Sequence, residues 1–267
     1  MRDITLGQYY TTKSPVHELD PRTKLLAMLL YVVLLFLVKS RPIWYLPLFF
    51  PLLYAFHVAR IPAKFALRGL RPILLLLCFT FFFRMTLTPG EEIARFWIFS
   101  VTREGVLKAV RMTARIAFMV STASLLAYTT TPRQLADGIE KVSAPLEKIK
   151  IPVHSMAVML MISFRFIPVL FEEINTLMDA QAARGAEFDS NSVWKKTKYV
   201  CALPMPIFIS CVRRAADLAM AIEARGYQEG AQTTRMYPLE FSPTDKKVQI
   251  VSWVFFVIFL ILLQLWS

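Results

Sequence analysis

Chemistry-bearing motifs are scarce in this sequence. Its three cysteines, Cys78, Cys201 and Cys211, include no Cys-x-x-Cys pair, so neither a disulfide framework nor a thiolate metal site is implied. They read as small buried apolar residues. The histidines His17, His57 and His154 are scattered and lack a paired acid at helical spacing, which leaves no usual metal-ligand pattern. There is no Gly-x-x-x-x-Gly-Lys-Ser/Thr run and no Gly-x-Ser-x-Gly, so the chain is expected to hold no ATP, magnesium or other cofactor of its own. Glu172-Glu173 reads as a solvated face rather than an acid/base pair. Residues 1–20 are polar and lack an apolar core, so a cleavable signal peptide is not expected.

Apolar residues are what the chain has instead. They make up 56% of it, with 21 Phe, 5 Trp and a mean hydropathy of +0.48, and soluble domains are about 45–50% apolar even counting glycine. Five stretches approach the roughly 20 apolar residues that span a bilayer: 25–38 (extended at its start by Lys24, which snorkels), 43–59, 72–83 running on to 87, 106–128, and 250–266. Pro47 and Pro51 predict a kink in the second. None contains Asp or Glu, so a proton relay inside the membrane lacks its usual parts. Lys108, Arg111 and Arg115 recur on one face of the fourth stretch. They read either as snorkelling cations near a membrane surface or as a polar seam against another helix or subunit, with Arg115 the deepest.

The net charge of +12 raises the question of nucleic acid, and its placement answers it. Residues 1–128 carry 16 basic and 6 acidic residues, whereas residues 129–245 carry 13 of each. The hydrophilic part therefore has no basic excess with which to track a phosphate backbone, and no nucleic-acid partner is expected. The excess lies beside the apolar runs, at Arg2, Lys13, Arg22 and Lys24 and again at Arg60, Lys64, Arg68 and Arg71, which predicts a cytoplasmic N-terminus. The expected fold is an all-α integral membrane protein with about five transmembrane helices and a cytosolic three-helix insert. Its expected parts are a four-span membrane domain at 1–128, the insert at 129–245 and a final span at 246–267.

Within the insert, Thr131-Pro132 predicts an N-cap and first helical residue, with that helix running to about Ile149. Pro152 opens a second helix, expected to run to Arg184, bend at Pro168 and stop at Gly185. Ser192 caps a third, expected to run to Arg225, bend at Pro204 and Pro206 and stop at Gly226. Both long helices are apolar in the middle and charged toward their ends, which predicts a place along the membrane surface or against protein rather than a further hairpin through the bilayer. Each ends in the same tripeptide, Ala183-Arg184-Gly185 and Ala224-Arg225-Gly226. Singly, each is an ordinary glycine cap with a last-turn arginine, which the helix dipole favours. As a pair in a membrane protein without an ATP site, they read as two arginine plugs for acidic grooves on partner proteins, since guanidinium pairs bidentately with carboxylate.

With these tripeptides and the N-terminal runs Gly7-Gln8-Tyr9-Tyr10 and Leu19-Asp20-Pro21-Arg22-Thr23-Lys24-Leu25-Leu26, the chain resembles the transmembrane T component of energy-coupling factor (ECF) transporters over nearly its whole length. That resemblance implies a non-catalytic subunit in the plasma membrane of a prokaryote. It would link two cytosolic ABC-type ATPases, which bind the ATP and magnesium, to a membrane-embedded S component that captures a vitamin or related micronutrient. It further implies that Arg184 and Arg225 dock on the ATPases and that the apolar helix faces meet the S component. Met156, Met159, Met161, Phe164 and Phe166 suit a face accepting several S partners, because methionine repacks readily. Asp20, Pro21, Arg22 and Lys24 are the matching N-terminal motif. The competing readings are a self-contained secondary carrier and a membrane scaffold without transport.

Overall fold

A computed structural model describes residues 9–10, 12–38, 42–89, 92–96, 99–150, 152–186, 193–227 and 241–265. Gly7, Gln8, Ser192 and Trp266 lie outside them. The chain falls into two compact units, residues 1–142 with 238–267, and residues 143–237.

In the first unit each apolar run begins where a cap or a proline makes a helix start cheap. A short α1 (Pro15–Glu18) leads into α2 (Pro21–Leu37), whose N-cap Asp20 accepts the Arg22 N–H at 2.8 Å with Pro21 at the first helical position. A 3₁₀ turn at Pro42–Trp44 opens α3 (Tyr45–Val58), which carries Pro51 inside it. Then come the short α4 (Ala63–Leu70), a second 3₁₀ turn at Arg71–Ile73 and α5 (Leu74–Leu87). The long α6 (Arg103–Thr129) starts at the N-cap Thr102, whose Oγ1 accepts from Gly105 N–H at 3.1 Å. Next, α7 (Pro132–Ser143) opens on a capping box, in which Thr131 N–H donates to Gln134 Oε1 and Gln134 N–H donates back to Thr131 Oγ1. The unit closes with α11 (Pro243–Leu265).

The core of this unit lies between α2, α3, α6 and α11. Leu34, Leu35, Val38, Tyr45, Leu48 and Phe259 are buried there, with Phe118 and Phe255 packed against them. A smaller cluster of Ala59, Ile61 and Tyr128 takes in Tyr10 and Phe65. Outside these cores the helices expose long apolar side chains such as Leu75, Phe79 and Ile250, as a lipid-facing surface requires. Four hydroxyls on those helices are satisfied locally: Thr80, Thr86, Thr122 and Thr129 each donate to the carbonyl four residues back.

Helices occupy all five stretches expected to span. Of the helices in this unit, α6 and α11 are long and apolar enough to cross a membrane, and the run at 42–58 is a shorter apolar helix. The expectation of helices alone misses an antiparallel hairpin between α5 and α6, β1 (Glu92–Phe96) with β2 (Phe99–Thr102), in which Phe96 pairs with Phe99 and Arg95 with Ser100. The cysteines are a second correction. Cys78 and Cys201 are exposed and Cys211 only partly covered; Cys78 sits on the outward face of an apolar helix, where burial is by lipid rather than by the chain.

In the second unit a 3₁₀ stretch at Ala144–Ile149 precedes α8 (Val153–Ala183), α9 (Val193–Cys201) and α10 (Pro204–Ala224). The helix expected to run from 131 to about 149 is α-helical only to Ser143, because Pro145 removes a backbone donor. The third insert helix does not bend at Pro204 but breaks at Ala202–Leu203, and Pro204 takes the first position of a new helix. By length and apolarity α8 also qualifies to cross a membrane; Glu172, Glu173 and Asp179 charge its second half.

Candidate functional site

The two tripeptides close their helices with the same hydrogen bonds. At the end of α8, Ala186 N–H donates to Gln181 O and Gly185 N–H to Ala182 O, each at 3.0 Å. At the end of α10, Tyr227 N–H donates to Ile222 O at 3.2 Å and Gly226 N–H to Glu223 O at 2.9 Å. Both are Schellman turns, in which the residue after the cap takes the left-handed conformation. Gly185 and Gly226 have φ of +91° and +72°. A Cβ added to either would meet nothing within 4 Å, so the backbone angle, and not crowding, calls for glycine. Ala183, Arg184, Ala224 and Arg225 are all exposed. Neither arginine side chain makes a hydrogen bond or ion pair among the described residues, so each presents a whole guanidinium to solvent at a helix C-terminus.

One further equivalence was not read from the sequence. Glu173 of α8 accepts a hydrogen bond from Ser210 Oγ at 3.1 Å and pairs with Arg214 of α10. Glu173 lies 11 residues before Arg184, and Arg214 lies 11 before Arg225. The clasp therefore joins the two helices at points equally far, about 16 Å of helix, from their terminal arginines. Glu173 is thus a tie between helices rather than part of a solvated face. The repeated spacing of 41 residues was the available signal.

The apolar residues expected to meet an S component all lie on α8. Met156 and Met159 are exposed, at 54% and 63%, while Met161, Phe164 and Phe166 are partly covered. Only Val153 and Ala157 of this helix are buried. Its neighbour α10 exposes Met205, Phe208 and Val212. Such an unpaired apolar surface calls for lipid or a partner.

The N-terminal motif builds a buried polar knot in the first unit. Asp20, Thr23 and Lys24 are 6%, 1% and 8% exposed. Lys24 Nζ donates to the carbonyls of His17 (3.0 Å) and Thr129 (2.9 Å), tying the ends of α1 and α6 to the start of α2. Asp20 N–H donates to Asp245 Oδ1 at 2.8 Å, and Ser242 N–H donates to Asp245 Oδ2 at 2.9 Å. Asp245 thus completes the cap of α11 while holding the cap of α2. Arg22 lies 5.0 Å over the Phe241 ring. The His17 imidazole is held below its ordinary pKa, first by burial and then by the Lys24 charge beside it; its Nδ1 shares a 2.6 Å hydrogen bond with Ser14 Oγ. The motif residues thus fix the geometry of helix starts. Asp245 escaped the sequence reading, although Ser242-Pro243-Thr244-Asp245 has the spacing of a capping box.

The basic face of α6 resolves into two kinds of residue. Arg115 donates from Nη2 to Val38 O at 2.7 Å and from Nε to Tyr45 Oη at 3.2 Å, and lies 5.5 Å from the Phe36 ring. It caps the C-terminus of α2, which is the seam reading. Among the described residues Lys108 makes only an exposed pair with Glu104, at 3.3 Å.

No group of three or more His, Cys, Asp or Glu among the described residues could hold a metal ion. Comparison with known proteins gives consistent matches. A family profile described as CbiQ, cobalt transport protein, matches residues 12–236. Proteins named energy-coupling factor transporter transmembrane protein EcfT are similar along the chain. That of Acidaminococcus fermentans is 40% identical over 97% of this chain and 96% of its own. That of Heliobacterium modesticaldum is 42% identical over 97% of each. That of Lactococcus lactis subsp. cremoris is 40% identical over 100% of this chain and 99% of its own.

Proposed function

Because the chain belongs to the CbiQ family of transport proteins, we propose that it is the coupling subunit of an ECF-type importer, passing the movement of two cytosolic ABC-type ATPases to a membrane-embedded S component. The observation that carries this reading is the matched pair of Schellman turns, each leaving one unpaired arginine at a helix C-terminus. A single such end is ordinary. Two with the same local geometry, joined by a clasp equally distant from both, suit two equivalent sockets. The fork of each guanidinium fits a carboxylate-lined groove, where losing a fully desolvated charge pair costs about 2–5 kcal/mol.

The rest of the reading follows from what the chain exposes. The apolar faces of α8 and α10 serve the S component, with Met156, Met159, Met161, Phe164 and Phe166 on that surface. The basic segments support a cytoplasmic N-terminus, and in this reading the membrane is the plasma membrane of a prokaryote. Cargo, a vitamin or a micronutrient such as a metal ion, is bound by the S component, and ATP with magnesium by the ATPases.

The test is a double reversal, Arg184→Glu with Arg225→Glu. The wild-type chain is expected to co-purify with two ATPases and to support ATP-driven uptake. The double variant should lose both, and either single change should lose less, because one joint remains. An intact complex with normal uptake in the double variant would overturn the docking role. Ion-gradient transport by the purified chain alone in liposomes would favour a self-contained carrier.

A further inference from the structure

The corner between α5 and α6 gathers four basic side chains, one of which, Arg115, also caps α2. Arg84, in the last turn of α5, and Lys108, Arg111 and Arg115 along one face of α6 line a cleft of about 290 Å³ with Met112. No carboxylate lines it among the described residues. Beyond the Lys108–Glu104 pair at its rim, like charges gathered in one cleft repel unless an anion joins them.

The corner is built to hold this arrangement. Thr102 Oγ1 donates to Thr88 O at 2.8 Å and accepts from Gly105 N–H, so the end of α5 is bonded to the start of α6. A Cβ on Gly105 would stand 2.6 Å from Met85 O. Any other residue there would push the helices apart and carry Arg84 away from α6. Arg115 is fixed by Val38 O and Tyr45 and still has donors to spare, since guanidinium carries five N–H groups. Lys108 reaches the cleft beside its exposed partner Glu104.

The surroundings select the kind of anion. Phe82, Phe83 and Leu87 of α5 and Leu107 and Val110 of α6 are 41–65% exposed beside the cations. A free anion in water gains nothing from such neighbours. A phospholipid does, because its phosphate meets the cations while its acyl chains lie on the apolar side chains. Arg84 in the last turn of α5 and Lys108 in the second turn of α6 lie toward the ends of two apolar helices, the level at which headgroups sit, with Arg115 deeper along α6. We propose that this cleft binds the phosphate of an anionic phospholipid headgroup, with Arg84 and Lys108 supplying the accessible charge and Arg115 the fixed one. The bound phosphate is the counter-ion of the corner, and the lipid pins α5 to α6 at the membrane surface.

The experiment uses the full chain purified in detergent. Native mass spectrometry counts retained phosphatidylglycerol and phosphatidylcholine, with inorganic phosphate as a competitor. The wild type is expected to keep about one phosphatidylglycerol in preference to phosphatidylcholine. Arg84→Gln with Lys108→Gln should lower that retention about tenfold without moving the melting temperature, because both side chains are solvent-facing. Glu104→Gln removes the nearby acid and should raise retention, an effect that loss of folding cannot mimic. Lys246→Gln with Lys247→Gln, at the start of α11, should leave retention unchanged. Equal retention of the two lipids, no response to either cleft variant, or displacement of the lipid by millimolar inorganic phosphate would overturn the assignment; the last would make the cleft a site for free anion.

Discussion

At the scale of single residues, the glycine of each tripeptide does a separate job from the arginine. Gly185 and Gly226 adopt positive φ in open space, so substitution is felt through the backbone alone. An L-residue in that conformation costs roughly 1–2 kcal/mol, and asparagine tolerates it better than alanine. Gly185→Ala and Gly226→Ala are therefore expected to fray the last turn of α8 or α10 while leaving the rest of each helix in place. Hydrogen exchange should rise for the amides of Gly185 and Ala186, or of Gly226 and Tyr227, and Asn should rise less than Ala. Unchanged protection in the alanine variants would mean that something other than the glycine sets these turns. Arginine cannot substitute for this role, nor glycine for the charge, which is why the two occur together at both helix ends.

At the scale of elements, helix ends were legible wherever a local rule fixes them. Thr131-Pro132, Gly185 and Gly226 mark termini that the structure reproduces, whereas Asp20-Pro21, read only as part of a family motif, turns out to be an N-cap and first helical residue of the same kind. The break before Pro204 was less legible, because proline both kinks a helix and starts one, and the neighbouring residues decide which. The clasp and the Asp20–Asp245 bond were not legible as pairs, since pairing across 41 or 225 residues is not a local pattern; the 41-residue repeat and the capping-box spacing at Ser242–Asp245 mark the residues but not their partners. The clasp is the element-scale feature most open to test. A solvent-accessible pair of this kind adds little stability, so breaking it should not unfold α8 or α10. Its value is in fixing where the two helices meet. Spin labels at Arg184→Cys and Arg225→Cys would report this as a distance distribution. Glu173→Arg should broaden that distribution, and the swap of Glu173→Arg with Arg214→Glu should narrow it again. If the single reversal leaves the distribution unchanged, the helices are held by packing and the clasp is incidental.

At the scale of the whole molecule, the two units are finished to different degrees. The first has buried clusters, a polar knot and capped helix starts, all made from its own chain. Among the described residues the second buries few side chains of its own, Val153, Ala157 and Leu203, while the other large apolar residues of α8 and α10 are exposed or only partly covered. Local opening follows such differences in buried contact. In the purified chain, amides of α10 should therefore exchange at least about tenfold faster than those of α2 and α6, each compared within its own helix interior. A coupling subunit acquires its missing contacts from partners, so adding the two ATPases should slow exchange first at residues 182–186 and 223–227. Adding an S component should slow it across Met156–Phe166 instead. The two footprints are separate on the sequence, and a scaffold without a coupling role has no reason to show both. Protection of the arginine ends by the S component alone, or equal protection of both units in the isolated chain, would contradict this division of labour.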